Sequence, residues 1–162
     1  MEWVRVRTVL NWVNLSTPAG LALARAGRCR PRRYDGGLWV AEGWRAPLPK
    51  AGAFTVGSVV VLRPHLCPPE AHPGLMGHEA AHASQYAVCG PLFLPLYFAA
   101  AGWSWLRTGD AASQNLFERR AGLVRGGYRE APPLPLRARA SGLLRAGTRA
   151  AARAIPSRRT AL

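Results

Sequence analysis

Five residues near the middle of the chain, His78-Glu79-Ala80-Ala81-His82, constrain its fold more than any other feature. In an H-E-x-x-H pattern the two histidines act as a pair only on a helix. There, positions i and i+4 stand one above the other, and two imidazoles can share one tetrahedral Zn²⁺. Glu79 is rotated by about 100° from His78 by the helical repeat. It can lean over an open metal position without ligating it and act as a proton carrier, from an attacking water to a leaving amine. The flanks Leu75-Met76-Gly77 and Ala83-Ser84 carry no charge, as a helix buried on one side requires. The competing reading is a helix whose histidines only pack or hydrogen-bond.

Two histidines leave a catalytic zinc one protein ligand short. A metzincin-type extension would place Gly where Gln85 stands and His where Val88 stands, and no histidine follows His82. The third ligand must come from another element, and the acids downstream are Asp110, Glu118 and Glu130. Asp110 follows Thr108-Gly109 and reads as a helix N-cap or first-turn acid. Glu118 lies beside Leu116 and Phe117, with Ala121 and Gly122 at i+3 and i+4, so no helical ion pair is available to it there. It is the candidate third ligand, against the alternative of a surface acid among Arg119, Arg120 and Arg125. Gln85, at i+7 from His78 and i+3 from His82, shares their face and can bond a ligand, a substrate carbonyl or a facing helix. A rival metal reading takes His65, Cys67, His72 and Cys89 as a structural zinc site or thiol switch, or pairs Cys67 with Cys89. Their spacing matches no recognised ligand pattern.

The order of elements predicts an α+β fold, a short sheet followed by helices. Ser16-Thr17-Pro18 starts a helix over Ala19 to Ala26 that Gly27 ends. A basic cluster, Arg28 to Arg33, precedes a Gly36-Gly37 turn. Leu38 to Trp44 and Phe54 to Leu62 read as strands, paired like a hairpin across a wide Pro-containing loop. After a Pro-rich loop to Pro73, a helix is expected from Gly74 to about Val88, stopped at Gly90-Pro91. Further helices are expected over Leu92 to Leu106 and over Ala111 to about Val124.

The formal net charge is +14, from 22 Lys+Arg against 8 Asp+Glu in 162 residues. Charge is unevenly placed: residues 64–106 contain no Lys or Arg, while residues 131–162 hold seven Arg and no acid. This divides the chain into a domain over 1–130 and an Arg/Pro/Ala-rich tail over 131–162, expected to be mobile. No zinc-finger, RNA-recognition or helix-turn-helix pattern accompanies the charge, so no specific nucleic acid is expected. Three scattered cysteines and no signal-like N-terminus point to a reducing, cytoplasmic setting. Tyr86 to Leu106 is 21 uncharged residues, interrupted by Gly90, Pro91, Pro95 and Gly102. That favours a buried or interfacial helical segment over a spanning helix. The six tryptophans read mainly as core or rim packing; Trp103 and Trp105 beside Arg107 also fit an interfacial belt. Contact with an anionic membrane, through the tail or through Tyr86–Leu106, is thus a possible partner interaction.

His78-Glu79-x-x-His82-x-x-Gln85 resembles the H-E-x-x-H-x-x-Q signature of small bacterial zincin-like proteins, similar in plan to minimal gluzincin metallopeptidases. Asn115-x-x-Glu118-x-x-Ala121 resembles their glutamate helix, and Gly57-Ser58-Val59-Val60 the strand along their cleft. The resemblance, over about residues 36–128, implies a sheet, an active-site helix, an apolar helical segment and a glutamate-bearing helix. It implies zinc on His78, His82 and Glu118, with Glu79 as general base and acid. The chain departs from the pattern at Gly122, where many gluzincins carry an acid that braces a zinc-bound histidine. The expected activity is hydrolysis of a peptide bond in a peptide or protein substrate, with Phe54 to Leu62 offering edge pairing. The alternative is an inactive, metal-binding interaction protein on the same scaffold.

Overall fold

The computed structural model describes residues 2–135. At its centre is β4 (Val59–Leu62), a run of three valines and a leucine, every residue fully buried. A strand without a polar face needs cover on both sides. On one side Val59 and Val61 pack with Leu21 and Ala24 of α2 (Ser16–Ala26). On the other, Val60 and Leu62 pack with Met76 and Ala83 of α3 (Pro73–Cys89). The fold is mixed α+β, with the sheet lying between these two helices.

The sheet order is β1 (Arg30–Tyr34), β2 (Leu38–Glu42), β4, β3 (Ala53–Val56). β1 is antiparallel to β2, β2 is parallel to β4, and β3 is antiparallel to β4. Two strand expectations are corrected here. The run Phe54 to Leu62 is not one strand but a tight hairpin: Val56 pairs with Val59 across Gly57-Ser58. Gly57 takes φ 62°, and a Cβ there would lie 2.4 Å from the carbonyl carbon of Ser16, so both turn and packing require glycine. The expected hairpin of the two predicted strands is instead the parallel pair β2–β4, with β3 placed at the sheet edge. The basic cluster forms an edge strand too. Its arginines point outward, and Arg32 bonds Glu42 at 2.8 Å and Glu70 at 3.1 Å.

α1 (Glu2–Val13) was not anticipated, and its reason lies in polar contacts. Its buried face carries Arg7 and Asn11. Arg7 donates to the carbonyls of Gly36 and Ala80; Asn11 Nδ2 donates to Ala83 O at 2.9 Å and to Ser58 Oγ at 3.0 Å. α1 therefore grips α3 through α3's own carbonyls. Thr17, in the predicted cap, accepts from Ser58 N–H at 3.1 Å and fixes the β3–β4 turn.

α3 starts on Pro73 and stops at Gly90 (φ 56°), close to expectation. A 3-10 turn, Gly90–Leu92, then leads into α4 (Phe93–Thr108). The stretch Pro73–Thr108 is long and apolar enough by composition to cross a membrane, but the Gly90 break divides it. The 16 residues of α4 reach about 24 Å, less than a bilayer's roughly 30 Å apolar thickness. α4 is not buried: only Phe93, Ser104 and Thr108 are. Four tryptophans, Trp3, Trp12, Trp103 and Trp105, are exposed, so of the expected core or rim packing these four take no part in the core.

The last helix is shorter than expected. Asp110 Oδ1 accepts the N–H groups of Ala112 and Ser113 and closes a turn. Asn115 then caps α5 (Leu116–Ala121) by accepting from Phe117 N–H at 3.0 Å. Of the predicted tail, only residues 131–135 are described. Ala131 N–H donates to Ser113 Oγ and Leu134 N–H to Arg107 O; residues 136–162 lie outside the described part.

Candidate metal centre and cleft

α3 carries His78, Glu79 and His82 on its buried face, and α5 delivers Glu118 to them. Glu118 is 1% exposed, so the surface-acid alternative is excluded. Its Oε2 lies 3.2 Å from His78 Nε2 and 3.6 Å from His82 Nε2, and the two Nε2 atoms are 3.0 Å apart. Among the described residues, this is the one group of three or more His, Cys, Asp or Glu side chains close enough to share an ion. The rival His65/Cys67/His72/Cys89 cluster does not assemble. Cys67 precedes the helix and Cys89 ends it, 17 residues of α3 (about 25 Å by helical rise) later. All three cysteines are free.

The hydrogen bonds around the imidazoles assign a proton to each Nδ1. Gln85 Nε2 donates to Phe117 O at 2.9 Å, because a carbonyl can only accept. That turns Gln85 Oε1 toward His82 Nδ1 at 2.8 Å, so Nδ1 carries the proton. His78 Nδ1 faces Gly122 O at 3.1 Å and must likewise donate. With a proton on each Nδ1, both rings turn Nε2 toward the carboxylate oxygen Glu118 Oε2, which makes no hydrogen bond of good geometry. Three acceptors converging in a buried space repel one another unless a cation or a proton sits among them. The donor set, two imidazoles and a carboxylate, suits a borderline divalent metal.

Electrostatics run the same way. Burial pushes the Glu118 carboxyl up, but the facing His78 and His82 rings and the Tyr97 hydroxyl outweigh it and hold it down at about 2. Burial depresses His82, yet Glu118, Glu79 and the Gln85 carbonyl together raise it. Burial also raises Glu79, against the pull of His82 and of the Thr55 hydroxyl. Thr55 Oγ1 donates to Glu79 Oε2 at 2.6 Å, which ties the candidate base to edge strand β3.

The departure at Gly122 is resolved by its backbone. The carbonyl of Gly122 makes the bracing bond to His78 that an acidic side chain was expected to make. Gln85 takes the corresponding place on His82 and links it to α5. Two tyrosines escaped the sequence reading. Tyr97, from α4, donates to Glu118 Oε1 and leaves Oε2 free. Tyr128 lines the cleft with its ring centroid 6.0 Å from that of His78. Nothing in their sequence neighbourhoods marks either residue; the fold alone brings them in.

A cavity of about 180 Å³ lies over the centre, walled by Phe54, Val56, Phe93, Leu94, Tyr97 and Phe98. A more open depression of about 600 Å³ shares Ala51, Ala53, Glu79 and Tyr128 with it, so the two spaces adjoin at Glu79. No family model, curated protein or solved structure matches this chain.

Proposed function

We propose that the protein is a zinc-dependent hydrolase of zincin plan that cleaves a peptide bond. One observation carries the reading: two Nδ1-protonated imidazoles and an unpartnered carboxylate oxygen converge beneath a cleft whose wall holds Glu79. His78, His82 and Glu118 would hold the metal, which when bound acidifies water and polarises a carbonyl.

The chain's own residues supply the remainder. β3 is an edge strand along the cleft, where an extended substrate can add by backbone pairing. Thr55, in that strand, holds one Glu79 oxygen and leaves the other to take a proton from the attacking water and deliver it to the leaving amine. Burial raises the Tyr128 pKa, so its hydroxyl stays protonated as a donor at the cleft wall. Such a donor suits the negative charge that develops on a carbonyl oxygen. The Gly122 carbonyl supports the hydrolase reading by bracing His78 where an acidic side chain is missing; the scaffold alternative keeps the small size of the chain in its favour.

Metal analysis of purified protein, paired with a broad peptide-library assay, tests the proposal. We expect about one zinc per chain. His78→Ala should lose it, and Glu79→Gln should keep it while turnover falls by about 10²–10⁴-fold. Wild-type protein that takes up no zinc on titration would refute the reading. Full zinc occupancy with no cleavage of any library peptide would favour the scaffold.

A further inference from the structure

Helices α1 and α4 are inside out. In α1 the buried positions are Arg7 and Asn11, while Trp3, Val6, Val9, Leu10, Trp12 and Val13 face outward. A helix on a water-soluble core shows the reverse arrangement. In α4 Phe93 is buried at the first turn, but beyond it Ser104 and Thr108 turn inward, where both hydroxyls donate to Asp110 O. Leu94, Leu96, Phe98, Trp103, Trp105 and Leu106 turn outward.

The two faces meet. Asn14, just after α1, donates to Tyr86 O at 3.1 Å and lies within 3.8 Å of where a Cβ on Gly90 would sit, the point at which the chain turns into α4. Around this junction Val13 (75% exposed), Leu15, Val88 (74%) and Leu92 extend the apolar surface. Contiguous apolar surface of this kind marks binding sites on soluble proteins. Charge on the two helices is sparse and mostly positive. Arg5 is exposed on α1, Arg107 stacks 5.6 Å from the Trp103 ring on α4, and the sole acid is Glu2.

We propose that α1 and α4 form a docking face for an anionic lipid bilayer, seated in the headgroup and upper acyl region. Three properties select lipid over a second protein surface. Helical backbone needs no outside hydrogen-bond partner in an apolar medium. Exposed tryptophans occur on both helices, in company with arginine, as at membrane interfaces. The net charge of +14 complements anionic headgroups. Leu94 and Phe98 belong to both the apolar face and the cavity wall, so docking sets the cavity beside the lipid surface. Resting on the proposed peptidase function, the substrate is then a segment lying at that surface.

The test is vesicle flotation of the full chain, with phosphatidylcholine alone and with phosphatidylcholine mixed equally with phosphatidylglycerol. Wild type should float with the mixed vesicles and stay bound at an ionic strength of about 0.5 M, where charge attraction is screened within about 5 Å. Brominated acyl chains should quench its tryptophan fluorescence. Val13→Glu and Trp105→Glu alter exposed side chains outside the core; each should weaken partitioning about tenfold or more. Far-UV circular dichroism checks their folding. Flotation of both variants like wild type would refute the docking face and assign binding to the seven arginines of residues 131–162. Wild type that stays in solution with all vesicles would also refute it. So would a wild-type dimer that these substitutions dissociate, because a second copy would then be the occupant. Glu79→Gln should dock normally, so a failed peptidase assay and a failed docking assay are separate results.

Discussion

Gly126 tests the structure of the metal centre without touching a ligand. A Cβ at this position would lie 2.6 Å from His78 Cε1 and 2.8 Å from each ring nitrogen. Ordinary contact begins at 3.4 Å, so in Gly126→Ala the ring must retreat by about 0.8 Å. His78 is 1% exposed and pinned through Nδ1 to Gly122 O, which leaves it little room to move. Metal–ligand lengths tolerate only about 0.2 Å. The substitution should weaken zinc binding by about 100-fold, or roughly 2.7 kcal/mol. Gly126 is not among the positive-φ glycines, so alanine adds no backbone strain there and the effect is steric. Gly127→Ala is the control. It sits at φ 81° with open space around it, and should cost roughly 1–2 kcal/mol of stability while leaving zinc affinity unchanged. Competition titration with a chromogenic zinc chelator measures both variants. Zinc affinity in Gly126→Ala within about threefold of wild type would refute the placement of His78 as a ligand held against the Gly126 backbone.

Gln85→Leu removes the acceptor from His82 Nδ1 and the donor from Phe117 O, so the same titration should show about 10–100-fold weaker zinc binding. Its melting temperature should fall as well, by the equivalent of about 1–3 kcal/mol, for the buried groups left unpaired. Tyr128→Phe should lower kcat by about 10²–10³-fold with zinc content unchanged, as steady-state kinetics on a cleaved peptide would show. Asp110→Ala probes the turn before α5. The Ser113 hydroxyl, opposed by partial burial and helped by the Ser113 and Ala112 N–H groups, holds the Asp110 carboxyl below its ordinary value. A depressed acid stabilises above its unfolded pKa, about 3.9, and loses that contribution as pH falls through the folded value. Urea unfolding should therefore show the variant about 1 kcal/mol less stable at neutral pH, with the gap closing in acid.

What the sequence disclosed depended on whether side chains or backbone carried the information. α3 was readable because Pro73 and Gly90 punctuate it and H-E-x-x-H has a function only on a helix. Glu118 stood out because acids are so few, 8 in the chain. Gly122 read as a defect because its contribution is a carbonyl, which every residue owns. The β3–β4 hairpin hid inside one β-branched run, since only Gly57-Ser58 marks the turn. α1 stayed hidden for another reason: its apolar stripe faces outward, and amphipathic reasoning seats such a stripe inward. β1, with arginine at three of five positions, lacks the apolar alternation by which strands are recognised.

The proposed function rests on one zinc held by His78, His82 and Glu118. X-ray absorption spectroscopy of the zinc-loaded protein at the zinc edge tests it most directly. Zinc on these three side chains should give a shell of nitrogen and oxygen at about 2.0–2.2 Å with the multiple scattering of two imidazoles and no sulfur. Sulfur at about 2.3 Å, or a single imidazole, would contradict it.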